Sequence, residues 1–143
     1  MLVKEVMHRS VKTVRPEDTV RDAAKIMNQY RIGSLVVVSG TGEVVGILTE
    51  RDILTNVVAV GKVADEVKIS EIMTPNIITI TPDKTLEEAA NVMTENKIKK
   101  LPVVHEGRLI GIVTATDLMA YEKDLVEKIS VLLASSPMQN IGG

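Results

Sequence analysis

Apolar residues follow two rhythms along the chain. Val20, Ala23, Ala24 and Met27 recur at helical spacing behind Thr19, whose hydroxyl and the Asp22 carboxylate can exchange capping bonds. This predicts a helix that ends between Tyr30 and Gly33. Leu35-Val36-Val37-Val38 is an unbroken apolar run, which reads as a buried strand. The polar turn Ser39–Gly42 follows, then Glu43–Leu48, so the two runs form a hairpin. A short strand, Val11–Val14, comes earlier and is closed by Arg15-Pro16. Leu2–Met7 reads as one helical turn or an extended lead-in. After the hairpin a helix runs through Ile53, Leu54, Val57 and Val58 and stops at Gly61.

Beyond a polar connector, Ala64–Lys68, the pattern starts again. Glu71-Ile72-Met73 answers Glu5-Val6-Met7, and Pro82 answers Pro16 behind a predicted strand at Ile77–Ile80. Thr85 with Glu88 opens a helix carrying Ala89, Ala90 and Met93. Ile98 and Leu101–Val104 match Ile32 and Leu35–Val38. A shift of 66 residues superimposes the copies up to the hairpin turn, and 65 does so after it, because the turn His105–Arg108 is one residue shorter. A self-match that holds register through one loop deletion marks an internal repeat. The expected fold is α/β (α+β): two pseudo-symmetric β-α-β-β-α repeats packed sheet-to-sheet as one compact module. Residues 1–63 form the first repeat. Residues 64–134 form the second, with a C-terminal helix from Thr116 that buries Leu118, Leu125, Ile129 and Leu132. Residues 135–143 form a loose tail.

Composition narrows the functional classes. Aromatic residues make up 1% of the 143 residues, with no Phe or Trp, so base-stacking nucleic-acid modules are not expected. The formal net charge of -2 offers no polyanion or membrane footprint. Without Cys there is no disulfide, thiolate metal site or cysteine nucleophile. The N-terminus lacks the apolar core of a signal peptide, and no run is long enough to span a membrane. These features predict a soluble cytoplasmic protein. His8 and His105 occupy unlike repeat positions, so no metal pair is expected. The seven Met suit a core poor in aromatics. No nucleophile–base–orienter set is evident, so no catalysis is expected.

The chemistry concentrates in one duplicated stretch. Gly46-Ile47-Leu48-Thr49-Glu50-Arg51-Asp52 recurs as Gly111-Ile112-Val113-Thr114-Ala115-Thr116-Asp117. Each copy leaves a strand and enters a helix through Thr-x-x-Asp. One reading is a capping box with Asp at its third position. The other is a ligand corner, where free amides at a helix start favour an anion and a carboxylate can hold sugar hydroxyls. Gly46 and Gly111 either admit a ligand to the strand backbone or mark a bulge.

The duplicated Gly-x-x-Thr-x-x-Asp corner, with its Met-x-x-x-hydrophobic leads and Leu-Pro-Val-Val strand, resembles a tandem pair of cystathionine-β-synthase (CBS) domains, a Bateman module. The resemblance covers about Val3 to Ala120. It implies a pseudo-symmetric disc whose two clefts bind AMP, ADP, ATP or S-adenosylmethionine, with the corner Thr on phosphate and the Asp on ribose. It further implies one site of Thr49, Arg51 and Asp52 with Ile78, Ile98, Lys99 and Lys100. The other would combine Thr114, Thr116 and Asp117 with Lys12, Ile32, Gly33 and Ser34. On that grouping the first cleft gathers three cations and suits a polyphosphate, whereas the second suits a less charged ligand. Lys99 and Lys100 also fit a plain helix C-terminus. The family likeness implies a homodimer built on the helices after each corner. It also implies a regulated enzyme or transporter as partner, and no cofactor. A ligand-free interaction scaffold and a nucleotide-processing enzyme are the competing readings.

Overall fold

The computed structural model describes residues 1–121 and 123–134. Two capping boxes set the long helices. The helix Val20–Tyr30 (α2) begins where Thr19 Oγ1 accepts the Asp22 N–H at 3.1 Å and Asp22 Oδ2 accepts the Thr19 N–H at 3.2 Å. Leu86–Asn96 (α5) repeats this with Thr85 and Glu88. Each helix ends on a left-handed residue, Arg31 at φ 53° and Lys97 at φ 55°.

Contacts divide the described chain into two units. One is Lys12–Ile77. Its sheet has the order β1-β2-β3-β4, from Thr13–Val14 (β1), Ser34–Val38 (β2), Val44–Thr49 (β3) and Thr74–Pro75 (β4). β1 runs parallel to β2 and the other pairs are antiparallel. The corner helix Glu50–Ile53 (α3) continues as a wider turn, Leu54–Val58, in which the Ala59 N–H reaches back to Leu54 O at 2.9 Å. A 3₁₀ turn, Ala64–Glu66, leads to the helix Ile69–Ile72 (α4). The core gathers Val14, Val20, Ala23, Met27, Leu35, Val37 and Leu48 with Val57, Val67, Ile69 and Ile72.

The other unit joins Met1–Val11 to the chain from Ile78 onward. Lys100–His105 (β5) pairs antiparallel with Arg108–Thr114 (β6). Single bridges extend the ribbon on both sides, Ile80 parallel to Val103 and His8 antiparallel to Ile112. The order therefore repeats that of the first sheet. Val3–Val6 (α1), α5, Ala115–Tyr121 (α6) and Lys123–Ala134 (α7) complete this unit. Val3, Leu86, Met93, Leu101, Leu118 and Ile129 are fully buried in its core.

The units cut the chain differently from the two sequence repeats. The lead-in of each repeat packs on the body of the other. Val3 N–H donates to Lys84 O at 2.8 Å, and Lys4 N–H to Pro82 O at 3.0 Å. One repeat away, Ile69 N–H donates to Asp18 O at 2.8 Å and Ser70 N–H to Pro16 O at 2.9 Å. Burial makes the exchange favourable, since Val3 and Ile69 both have no exposed surface.

One expected element differs. The strand at Ile77–Ile80 contracts to Ile80, because Asn76 at φ 53° turns the chain after β4 and leaves Ile78 38% exposed. The expected terminal helix is described as α6 and α7, and residue 122 lies outside the described residues. Leu118, Ile129 and Leu132 are buried as the stripe requires. The Leu125 side chain and the tail at 135–143 lie outside the described residues.

Candidate functional site

Both Thr-x-x-Asp corners fold as capping boxes. Thr49 ends β3, and its Oγ1 accepts the Asp52 N–H at 3.1 Å, while Asp52 Oδ2 accepts the Thr49 N–H at 3.0 Å. Thr114 ends β6 and makes the same pair with Asp117 at 3.2 and 2.9 Å. Local geometry thus uses one oxygen of each Asp and the acceptor side of each hydroxyl. The threonine proton remains for other work, as does the second carboxylate oxygen of Asp52. All four residues are half-buried, at the edge of their unit.

The glycines before the corners serve packing. A Cβ on Gly46 would lie 2.7 Å from Thr74 O and 2.9 Å from Met73 Sδ. On Gly111 it would lie 2.7 Å from Met7 Sδ and 2.9 Å from His8 O. The missing side chain lets the exchanged lead-in pair with the strand, so the close approach proposed for a ligand is made by the protein itself.

Within each unit the corner adjoins the helix–strand junction of its own repeat. Ser34 is the register partner of Thr49, and Glu50 N–H donates to Gly33 O at 3.0 Å. Lys100 is the register partner of Thr114, and Ala115 N–H donates to Lys99 O at 2.8 Å. Thr114, Thr116 and Asp117 therefore lie beside Ile98, Lys99 and Lys100. Thr49, Arg51 and Asp52 lie beside Ile32, Gly33 and Ser34. The grouping implied by the family likeness, Arg51 with both lysines, draws instead on residues of both units. Ile32 and Ile98 pack on the edges of their cores. Lys12 is exposed, its Nζ 4.1 Å from the centre of the Tyr30 ring, a cation–π contact within its unit.

Two neighbours of the corners went unnoticed in the sequence. His8 Nε2 lies 2.8 Å from Asp117 Oδ1, while among the described residues Asp52 Oδ1 has no hydrogen-bond partner. The position equivalent to His8 is Thr74, so the signal was a histidine in one lead-in only. Glu50 folds its carboxylate over Gly33, with Oε1 2.7 Å from where a Cβ would stand. Its counterpart is Ala115. Among the described residues no cluster of three or more His, Asp or Glu is placed to hold a metal ion. No described helix is long and apolar enough to cross a membrane.

Comparisons with known proteins agree with this duplicated plan. The family model for the CBS domain matches twice, at residues 3–59 and 69–124. Uncharacterized protein MK0525 of Methanopyrus kandleri is 41% identical over 89% of the chain, which spans 65% of that protein. The CBS domain-containing protein YhcV of Bacillus subtilis is 34% identical over 97% of the chain and 94% of its own length. The crystal structure of the CBS domain protein TA0289 from Thermoplasma acidophilum superposes with a TM-score of 0.77 at 35% identity, covering 94% of this chain and 76% of that one. Two family matches in step with the two repeats, on a fold shared with a solved family member, make the chain a member of the CBS-domain family that carries the domain as a tandem pair.

Proposed function

We propose that the chain is a non-catalytic regulatory module that binds adenosine compounds (AMP, ADP, ATP or S-adenosylmethionine) through its Thr49–Asp52 and Thr114–Asp117 corners. The observation that carries this reading is the identical geometry of the two corners. In each, reciprocal bonds hold a threonine and an aspartate at a strand end and leave a hydroxyl proton to meet a ligand, with the second carboxylate oxygen open at Asp52 and shared with His8 at Asp117. Sugar hydroxyls suit the carboxylate, and phosphate suits the hydroxyl and nearby cations. Ile32, Ile98 and Ile78 supply apolar surface for a base. Ligand binding would regulate an enzyme or transporter in the cytoplasm by favouring one conformation over another.

A second copy of the chain is the partner this reading favours for the helix after the first corner. Leu54, Val58, Val60 and Val63 are each more than half exposed. Such a patch suits a homodimer contact. Sedimentation tests it, and a monomer at micromolar concentration removes it.

The decisive experiment is a thermal-shift panel with AMP, ADP, ATP and S-adenosylmethionine, followed by calorimetry on Asp52→Ala and Asp117→Ala. A ligand at a hundred times its Kd stabilises the native state by about 2.7 kcal/mol. The scaffold reading has its own support, because a capping box alone accounts for the Thr-x-x-Asp spacing. No shift with any of the four ligands would favour it.

A further inference from the structure

The two corners differ in the charged residues they carry. At equivalent positions Glu50 faces Ala115, Arg51 faces Thr116, Gly33 faces Lys99 and Ser34 faces Lys100 in the repeat alignment. The Asp52 corner thus holds two carboxylates against one guanidinium. The Asp117 corner holds Lys99 and Lys100 beside one carboxylate, and Lys100 has a partner of its own. Glu50 itself starts α3 beside Gly33. Its N–H donates to Gly33 O at 3.0 Å, which fixes the start of α3 against residue 33. Its side chain then folds back over the glycine, into space a Cβ would otherwise fill, with Oε1 2.7 Å and Cδ 3.3 Å from that point. In the other repeat the equivalent of Gly33 is Lys99, whose own Cβ takes this space, and residue 115 is a buried alanine.

Arg51 does not cancel Glu50. Successive helix positions point to different sides, and among the described residues neither side chain has a charged partner. A phosphate chain entering beside Gly33 meets a like charge. One entering beside Lys99 meets an opposite charge.

We propose that Glu50 is a specificity-determining residue: it limits the Asp52 corner to adenosine compounds with at most one phosphate, while the Lys99–Lys100 side of the Asp117 corner selects the nucleoside di- or triphosphate. The proposal rests on the adenosine-binding reading above and assigns a charge class to each corner.

Calorimetry with adenosine, AMP and ATP on the full chain tests it. In the Asp117→Ala protein, which keeps the Asp52 corner, ATP binds more weakly than adenosine. Adding Glu50→Gln raises the ratio of ATP to adenosine affinity by about fivefold to tenfold, the effect of one like charge at close range. Glu50→Lys raises it further. In the Asp52→Ala protein ATP is preferred, and Lys99→Ala with Lys100→Ala lowers the same ratio. Circular dichroism confirms that each variant is folded. A ratio unchanged by both Glu50 substitutions, in protein that still binds adenosine, overturns the assignment of Glu50. Failure of the unaltered chain to bind any of the three ligands overturns the adenosine reading and this proposal with it.

Discussion

His8 Nε2 sits 2.8 Å from Asp117 Oδ1, so the carboxylate of one corner is held on both oxygens while that of the other is held on one. The pair joins the N-terminal lead-in to a corner more than a hundred residues away in sequence. The imidazole is 61% exposed and the Asp117 side chain 16%, which makes this a surface contact with one sheltered partner. A ligand that uses Asp117 must share Oδ1 with the imidazole or displace it.

His8→Ala is therefore expected to change stability by less than about 1 kcal/mol, because exposed pairs contribute little and the backbone bridge to Ile112 remains. Its larger effect falls on ligand affinity, and only at the Asp117 corner. Adenosine titrations of His8→Ala in the Asp52→Ala and Asp117→Ala backgrounds separate the two corners. An equal change in both would dissociate His8 from the Asp117 corner.

The glycines predict a graded series. Gly46→Ala and Gly111→Ala drive a methyl group against a backbone carbonyl and a methionine sulfur, and neither can retreat without moving the exchanged lead-in. Each is expected to cost about 1–3 kcal/mol in denaturant unfolding. Gly33→Ala meets only the end of the Glu50 side chain, which can swing into solvent. Its cost should be well below that of the other two. A Gly33→Ala loss as large as that of Gly46→Ala would mean that the carboxylate is firmly held.

The exchanged lead-ins make an asymmetric prediction. Removing residues 1–10 takes Val3, Val6 and Met7 from the core built around Leu101 and Leu118. It also removes the hydrogen-bond partners of the Leu86 and Ile112 amides. The amides of α5 and β6 should lose hydrogen-exchange protection, while those of β2 and β3 keep it. Ile69→Ala should act on the other unit, at about 2–5 kcal/mol, because a fully buried isoleucine is truncated there. Loss of protection in β2 and β3 after the N-terminal deletion would contradict this division.

The elements were largely legible in the sequence because their signals are local. Thr19 with Asp22 and Thr85 with Glu88 announce helix starts, and the run Leu35–Val38 announces a strand without reference to anything distant. The duplicated corner was legible for the same reason. What the pattern did not convey is pairing across the chain. Nothing near Val3 says that it packs beside Leu86 and not beside Val20. The role of Gly111 depends on Met7 and His8, and the neighbourhood of Lys100 depends on its register with Thr114. Register is set by which faces are buried together, a non-local quantity. The register that sets Lys99 and Lys100 beside Thr114 is therefore absent from the local pattern. Two neighbours, His8 and Glu50, break the repeat symmetry. They were visible as mismatches between the copies, but only the structure shows what each mismatch touches.

Those mismatches are informative where the backbone is identical. Arg31 and Lys97 both end a long helix in the left-handed region, at φ 53° and 55°, where a side chain is disfavoured and glycine is not. Each is exposed, so little packing compensates for the conformation. Replacement by glycine relieves the strained backbone but also widens the freedom of the unfolded chain, and the first effect dominates when φ is positive. Arg31→Gly and Lys97→Gly should each stabilise the chain by about 0.5–1 kcal/mol in urea unfolding, with the two gains additive because the sites lie in separate units. Lys97→Gly also leaves Lys99 and Lys100 in place, so it should raise stability without lowering the ATP-to-adenosine ratio at the Asp117 corner. A drop in that ratio would show that Lys97 belongs with the cations that meet the phosphate.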